Sequence, residues 1–203
     1  MATVGQVSVR RARPEERGRL AQTLAAAFVD DPGWSWILRF ADRERRLRFF
    51  FDSELTHLMP DRRHVWVAGD GAATAVWAPP GLWRAPFATM LRQSPAMMRV
   101  FGRRLPLGLR YLMRAEHKHP RRPEHWYLHY LGTEPASQGR GLGSALLRPV
   151  LALCDRDRTG AYLESSSERN RALYERHGFE VVEVFEMPGG GPDIRRMWRD
   201  PQG

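Results

Sequence analysis

Three glycines on alternate residues, in the run Gln138-Gly139-Arg140-Gly141-Leu142-Gly143-Ser144, limit most sharply what this chain can fold into. They stand between a strand-like segment, 126–131, and an apolar-periodic segment that begins at Leu142, so the run reads as a strand-to-helix turn. Glycine at alternate positions lets the main chain bend tightly, aim several N–H groups one way and leave space where a Cβ would stand. The helix behind the turn adds unpaired N–H groups and about half a positive charge at its start. Such a turn suits a phosphate-bearing ligand, a pyrophosphate in particular. The plainer alternative is an ordinary connection whose glycines only relieve crowding.

Two familiar phosphate loops do not fit the spacing. Counted from Gly139 or from Gly141, the glycines miss G-x-G-x-x-G, and a P-loop needs a lysine where this chain's only lysine is the distant Lys118. Past the turn, Leu142, Ala145, Leu146, Val150 and Leu153 fall on one helical face, with Pro149 expected to distort that helix or remove one ladder bond. A short strand follows at 161–164. A second helix starts near 167–170, where a serine or asparagine side chain can cap it, and Gly178 closes it in a left-handed position before Phe179.

The rest of the chain alternates in the same way. Periodicity predicts a strand at 7–10, a helix at 14–28 and a break at Asp30-Asp31-Pro32-Gly33. A helical turn at 34–38 and a helix at 42–58 come next. Strands at 64–68 and 72–77 form a hairpin around Gly69-Asp70-Gly71. Residues 81–120 form a Met- and Arg-rich helical insertion, and strands at 180–185 and 194–198 close the chain. With no repeat and no linker in 203 residues, one domain spanning 1–203 is expected. The pattern is that of an α/β (α+β) fold.

Composition narrows the function classes. No apolar run approaches the roughly 20 residues of a membrane helix, and the Arg-rich start has no signal-peptide core, so a cytoplasmic protein is expected. A single cysteine, Cys154, excludes an internal disulfide and a multi-cysteine metal site, and no metal is expected. The net charge of +9 rests almost wholly on arginine. Arg103, Arg104, Arg110, Arg114, Arg121 and Arg122, interleaved with Phe101, Tyr111 and Trp126, read either as a nucleic-acid platform or as a solvated helical face. The second reading is preferred, and a basic surface also attracts an anionic cosubstrate.

Two stretches carry a family resemblance. Gln138 to Gly143 resembles the Gln/Arg-x-x-Gly-x-Gly/Ala signature of the GCN5-related N-acetyltransferases (GNAT). Asn170-Arg171-Ala172-Leu173-Tyr174-Glu175-Arg176-His177-Gly178-Phe179 resembles that family's second signature. Within the family the likeness runs toward the puromycin N-acetyltransferases, through Leu24 to Phe28, Val65 to Ala68, Gly71 to Trp77 and Leu163-Glu164-Ser165. The resemblance implies a mixed central sheet of about six or seven strands, splayed in the middle and flanked by helices. It also implies acetyl-CoA as cosubstrate and a primary amine as acceptor.

Carried over residue by residue, the resemblance assigns main-chain groups of Leu131 and Thr133 to the pantetheine, with Gly132 between them at a bulge or close backbone approach. Gln138, Gly139, Arg140, Gly141, Leu142, Gly143 and Ser144 are assigned to the pyrophosphate and Asn170 to the cosubstrate. Tyr174 is the candidate general acid, because a phenol stays protonated at neutral pH and can pass its proton to a thiolate. Glu164 is the candidate base, acting directly, through water, or only by anchoring the ammonium; a strand-end ion pair is the plainer alternative. Asp30, Asp31, Trp34 and His129 are candidates for the acceptor side, with capping and core packing as their alternatives. A small antibiotic- or xenobiotic-like amine is the expected acceptor. The alternatives are a peptide or protein amine, a non-catalytic acyl-CoA-binding regulator, and nucleic-acid binding. The protein is expected as a monomer or homodimer.

Overall fold

The computed structural model describes residues 7–59, 64–84 and 87–203. Seven strands form one sheet: β1 (Val9–Arg11), β2 (His64–Ala68), β3 (Ala73–Ala78), β4 (His125–Thr133), β5 (Gly160–Ser165), β6 (Glu180–Glu186) and β7 (Asp193–Arg199), in the order β1-β2-β3-β4-β5-β7-β6. Every pair is antiparallel except β4–β5. The mixed sheet flanked by helices is therefore as the sequence predicts. The β2–β3 hairpin turns through Gly69, Asp70 and Gly71, all at positive φ.

Helices cover both faces. On one side lie α1 (Arg17–Phe28), α2 (Pro32–Ile37), α3 (Arg43–Leu58), α4 (Phe87–Phe101) and α5 (Leu105–Lys118). Leu20, Leu24, Leu47, Phe51 and Leu55 of this layer are fully buried against Val65, Val67 and Val76. On the other side α6 (Leu142–Arg156) and α7 (Glu168–Glu175) cover Ala75, Trp77, Leu128 and Leu163. The periodic face read from the sequence is the buried face of α6, and the helix runs through Pro149 without a break. The 81–120 insertion resolves into α4 and α5, joined by a short 3-10 turn at Gly102–Arg104.

The middle of the sheet is parted. β4 pairs with β5 only from His125 to Leu128, opposite Gly160 to Leu163, and its last residues run on beside β3 alone. Opposite Val76/Trp77 the β3–β4 register slips, which leaves His129 as the extra residue. The bulge expected near Gly132 thus lies at His129. Gly132 serves a close approach instead: a Cβ there would stand 3.0 Å from Ala27 Cβ and Leu24 Cδ2, so its absence lets α1 settle on β4. Past the bulge, β4 turns away from β5 and the gap opens.

Candidate active site

Alternation along β4 decides which main-chain groups face the gap. Glu134 N–H donates to Ala72 O at 2.8 Å, so Glu134, Gly132 and Tyr130 direct their groups toward β3. Leu131 and Thr133 therefore present theirs on the opposite edge, toward the gap. Gln138 closes the far end: its Nε2 donates to Thr133 O at 3.2 Å, and its Oε1 accepts from Arg169 Nη2 at 3.0 Å. That amide ties the end of β4 to α7 rather than pointing into open space.

The glycine turn holds its sequence-predicted form. Gly139 and Gly141 sit at φ +76° and +77°, and a Cβ at either would meet no heavy atom within 4 Å. Gly143 lets α7 come close, since a Cβ there would lie 3.4 Å from Leu173 Cδ2. Ala145 N–H is the first in α6 to find an acceptor, Gly141 O at 3.0 Å. Among the described residues the N–H groups of Gly139 to Ser144 have no protein acceptor. They converge with the start of α6, a ready anion site. Arg140 is exposed at the rim, Ser144 is partly buried and Leu142 is buried. The donor set fits a diphosphate, and the two edge-facing β4 residues fit an extended amide chain.

Glu164 stands at the end of β5 where β4 has left it. Leu163 packs in the α6–α7 layer, so Glu164 and Tyr162 point to the other face. Glu164 is partly buried, and desolvation pushes its carboxyl up to about 7, opposed by the Tyr162 hydroxyl and by Arg196. Tyr162 donates to Glu164 Oε1 at 2.8 Å. Burial first, and the nearby Glu164 charge second, raise the phenols of Tyr111 on α5 and Tyr127 on β4. His129 lies beside Tyr127, with ring centroids 4.4 Å apart.

Tyr174, on the last turn of α7, is 6% exposed, and burial followed by the Asp31 charge holds its phenol above the ordinary value. Its ring meets Phe179 edge-on at 6.1 Å, and its hydroxyl has no hydrogen-bond partner among the described residues. Asp31 accepts from Trp34 N–H at 3.0 Å, capping α2, and from Ser166 Oγ at 2.7 Å; burial raises its pKa. Glu164, Asp31, Tyr111 and Tyr174 are thus linked electrostatically. Asn170 is partly buried on α7.

Asp30 is exposed, and Trp34 is half-buried against the core, its ring 4.6 Å from Phe50 and 5.9 Å from Phe51. Ser167 occupies the N-cap position of α7 without a side-chain bond; Ser165 Oγ takes the Ser167 N–H instead, at 3.3 Å. Sequence reading missed Tyr111, Tyr127, Tyr162 and Arg196. The alternation that placed Glu164 on one face also places Tyr162 there, so Tyr162 was readable; Tyr111 and Arg196 arrive only through tertiary packing. Among the described residues no group of three or more His, Cys, Asp or Glu side chains is placed to hold a metal ion, and no helix is long and apolar enough to cross a membrane.

Comparison with known proteins agrees with this geometry. The model of the acetyltransferase (GNAT) family matches residues 107–179, which span the glycine turn, Glu164 and Tyr174. An uncharacterized N-acetyltransferase of Schizosaccharomyces pombe is 27% identical over 188 residues, 85% of this chain and 74% of the relative. The crystal structure described as histone acetyltransferase HPA2 and related acetyltransferase from Corynebacterium glutamicum superposes with a TM-score of 0.75 at 25% identity, covering 98% of both chains. A Drosophila melanogaster polyamine N-acetyltransferase shares the fold, with a TM-score of 0.60 at 18% identity over 96% of this chain and 99% of its own. The fold with its parted strands, the match to the GNAT family model across residues 107–179 and these relatives make the chain similar to the GNAT N-acetyltransferases.

Proposed function

We propose that this enzyme transfers an acetyl group from acetyl-CoA to the primary amine of a small molecule by direct attack in a ternary complex. One observation carries the reading: Glu164, with its carboxyl near 7, stands where β4 and β5 part, in a chain whose glycine turn also offers free amides. Acetyl-CoA supplies the activated acetyl thioester. The N–H groups of Gly139 to Ser144 hold its diphosphate, and Leu131 and Thr133 align the pantetheine as an added strand. Leu131 N–H faces the thioester oxygen, a donor worth about 3 kcal/mol of barrier. Glu164 takes the amine's proton, being half ionised near neutrality. Tyr174, kept protonated by burial, returns a proton to the departing thiolate.

The surroundings of Glu164 favour a particular acceptor. Tyr111, Tyr127 and Tyr162 contribute rings and Asp31 a second carboxylate, which suits one ammonium attached to an apolar or aromatic body. A puromycin-type aminonucleoside answers that description. The polyamine enzyme that shares the fold supports an amine as acceptor.

A panel of aminonucleosides, polyamines, aminoglycosides and peptides, followed by free-thiol release from acetyl-CoA, tests the proposal. Turnover is expected with aromatic monoamines above all. Preference for peptides overturns the acceptor class, and thiol release with none of the amines overturns transfer to a small amine. Tyr174→Phe is expected to lower kcat about 10- to 100-fold while calorimetry gives an unchanged acetyl-CoA Kd; an unaltered kcat removes Tyr174 from the reaction.

A further inference from the structure

Glu164 is the inner end of a chain of polar contacts. Tyr162, two residues earlier on β5, is 0% exposed and shares its face. The Tyr162 hydroxyl donates to Glu164 Oε1 at 2.8 Å and accepts from Arg196 Nε at 3.0 Å. Arg196 lies directly across the β5–β7 ladder from Glu164, so strand register delivers the guanidinium to the phenol. Its far side pairs with Glu183 on β6, and Glu183 also pairs with Lys118 on α5.

We infer that Tyr162, held by Arg196, is a positioning residue that orients the Glu164 carboxylate toward the gap and favours its ionised form. The inference rests on the reading of Glu164 as the base. A glutamate has three free torsions; a phenol fixed in the core and bonded to one carboxylate oxygen removes most of that freedom and leaves the other oxygen for the amine. A hydroxyl that donates to a carboxylate stabilises the charged form over the acid. The arginine fixes which way that hydroxyl donates, because its own N–H occupies the phenol's lone pair.

The groups facing Glu164 are Tyr111 from α5, Tyr127 from β4, Tyr162 from β5 and Arg196 from β7. The three phenols are raised by burial and stay neutral, and Arg196 stays charged. His119, whose ring meets Tyr162 at 4.9 Å, is driven down to about 3 by burial and stays neutral as well. Within this set Glu164 alone titrates near neutrality.

The test is kcat/KM from about pH 5.5 to about 9 for the wild type, Tyr162→Phe, Arg196→Gln and Glu164→Gln, with acetyl-CoA Kd and Tm measured in parallel. Both positioning variants are expected to move the acid limb upward by about one unit and to lower the plateau about tenfold, with acetyl-CoA Kd unchanged. Arg196→Gln stands alone if Tyr162→Phe does not fold, since Glu183 keeps its Lys118 partner. Acid limbs that coincide with the wild type's, while Glu164→Gln is inactive, overturn the positioning role alone. Full activity in Glu164→Gln removes the base and the positioning role together.

Discussion

Glu164→Gln is expected to lower kcat/KM about a hundredfold to ten-thousandfold at pH 8, the usual worth of a positioned general base. The wild-type profile should rise with pH and reach half its plateau near 7, because the base works only when unprotonated. The same substitution should stabilise the fold in alkaline solution. Desolvation lifts the carboxyl from its ordinary 4.5 to about 7, so between these values the folded chain holds a proton that the unfolded chain has lost. The stability it contributes is intact below about 4.5 and is lost as pH climbs through 7. The cost amounts to about 3 kcal/mol by pH 8, and glutamine escapes it. Thermal unfolding at several pH values should show the two proteins diverging from pH 5 upward. Parallel curves would mean that Glu164 is an ordinary solvated carboxylate.

Gly141→Val is expected to weaken acetyl-CoA binding at least about a hundredfold, the other large effect. Gly141 holds φ +77° at the N-cap of α6, where a β-branched residue costs about 1–2 kcal/mol of backbone strain. The larger loss comes from position. A Cβ there meets nothing of the protein within 4 Å, so the new methyl groups stand in the space that the free amides enclose. Calorimetry with acetyl-CoA and circular dichroism on the same sample separate lost affinity from lost fold. An unchanged Kd in a folded variant would mean that the diphosphate is gripped elsewhere.

The parts legible in the sequence are those written in short-range patterns. The turn at 138–144 and the buried stripe of α6 follow from glycine spacing and helical period alone, whereas Tyr174 was marked by the family signature and lies on the last turn of α7. Glu164 was legible as a strand-end carboxylate, but its environment was not. Arg196 reaches Tyr162 because β7 inserts between β5 and β6, an order that no local pattern encodes. Tyr111 lies in the insertion, whose helical character was clear and whose docking was not. Trp34 lies half-buried on the aromatic bed of Phe50 and Phe51 on α3, and a tryptophan after a loop reads the same in sequence whether it lines a pocket or packs on the core. The bulge fell at His129 because β4 slips register against β3 there, and the neighbouring glycine was needed for α1.

The Lys118–Glu183 pair has a consequence for the enzyme's own surface. A protein that carries a reactive thioester risks acylating its own ε-amino groups, and this chain offers a single one, engaged with a carboxylate at the junction of α5 and β6. Arginine, which serves nearly everywhere else as the cation, is a far poorer nucleophile because its guanidinium does not give up its proton. Lys118 is therefore a natural address for an amine-directed label, from which a fluorophore would report on how the insertion sits over the sheet.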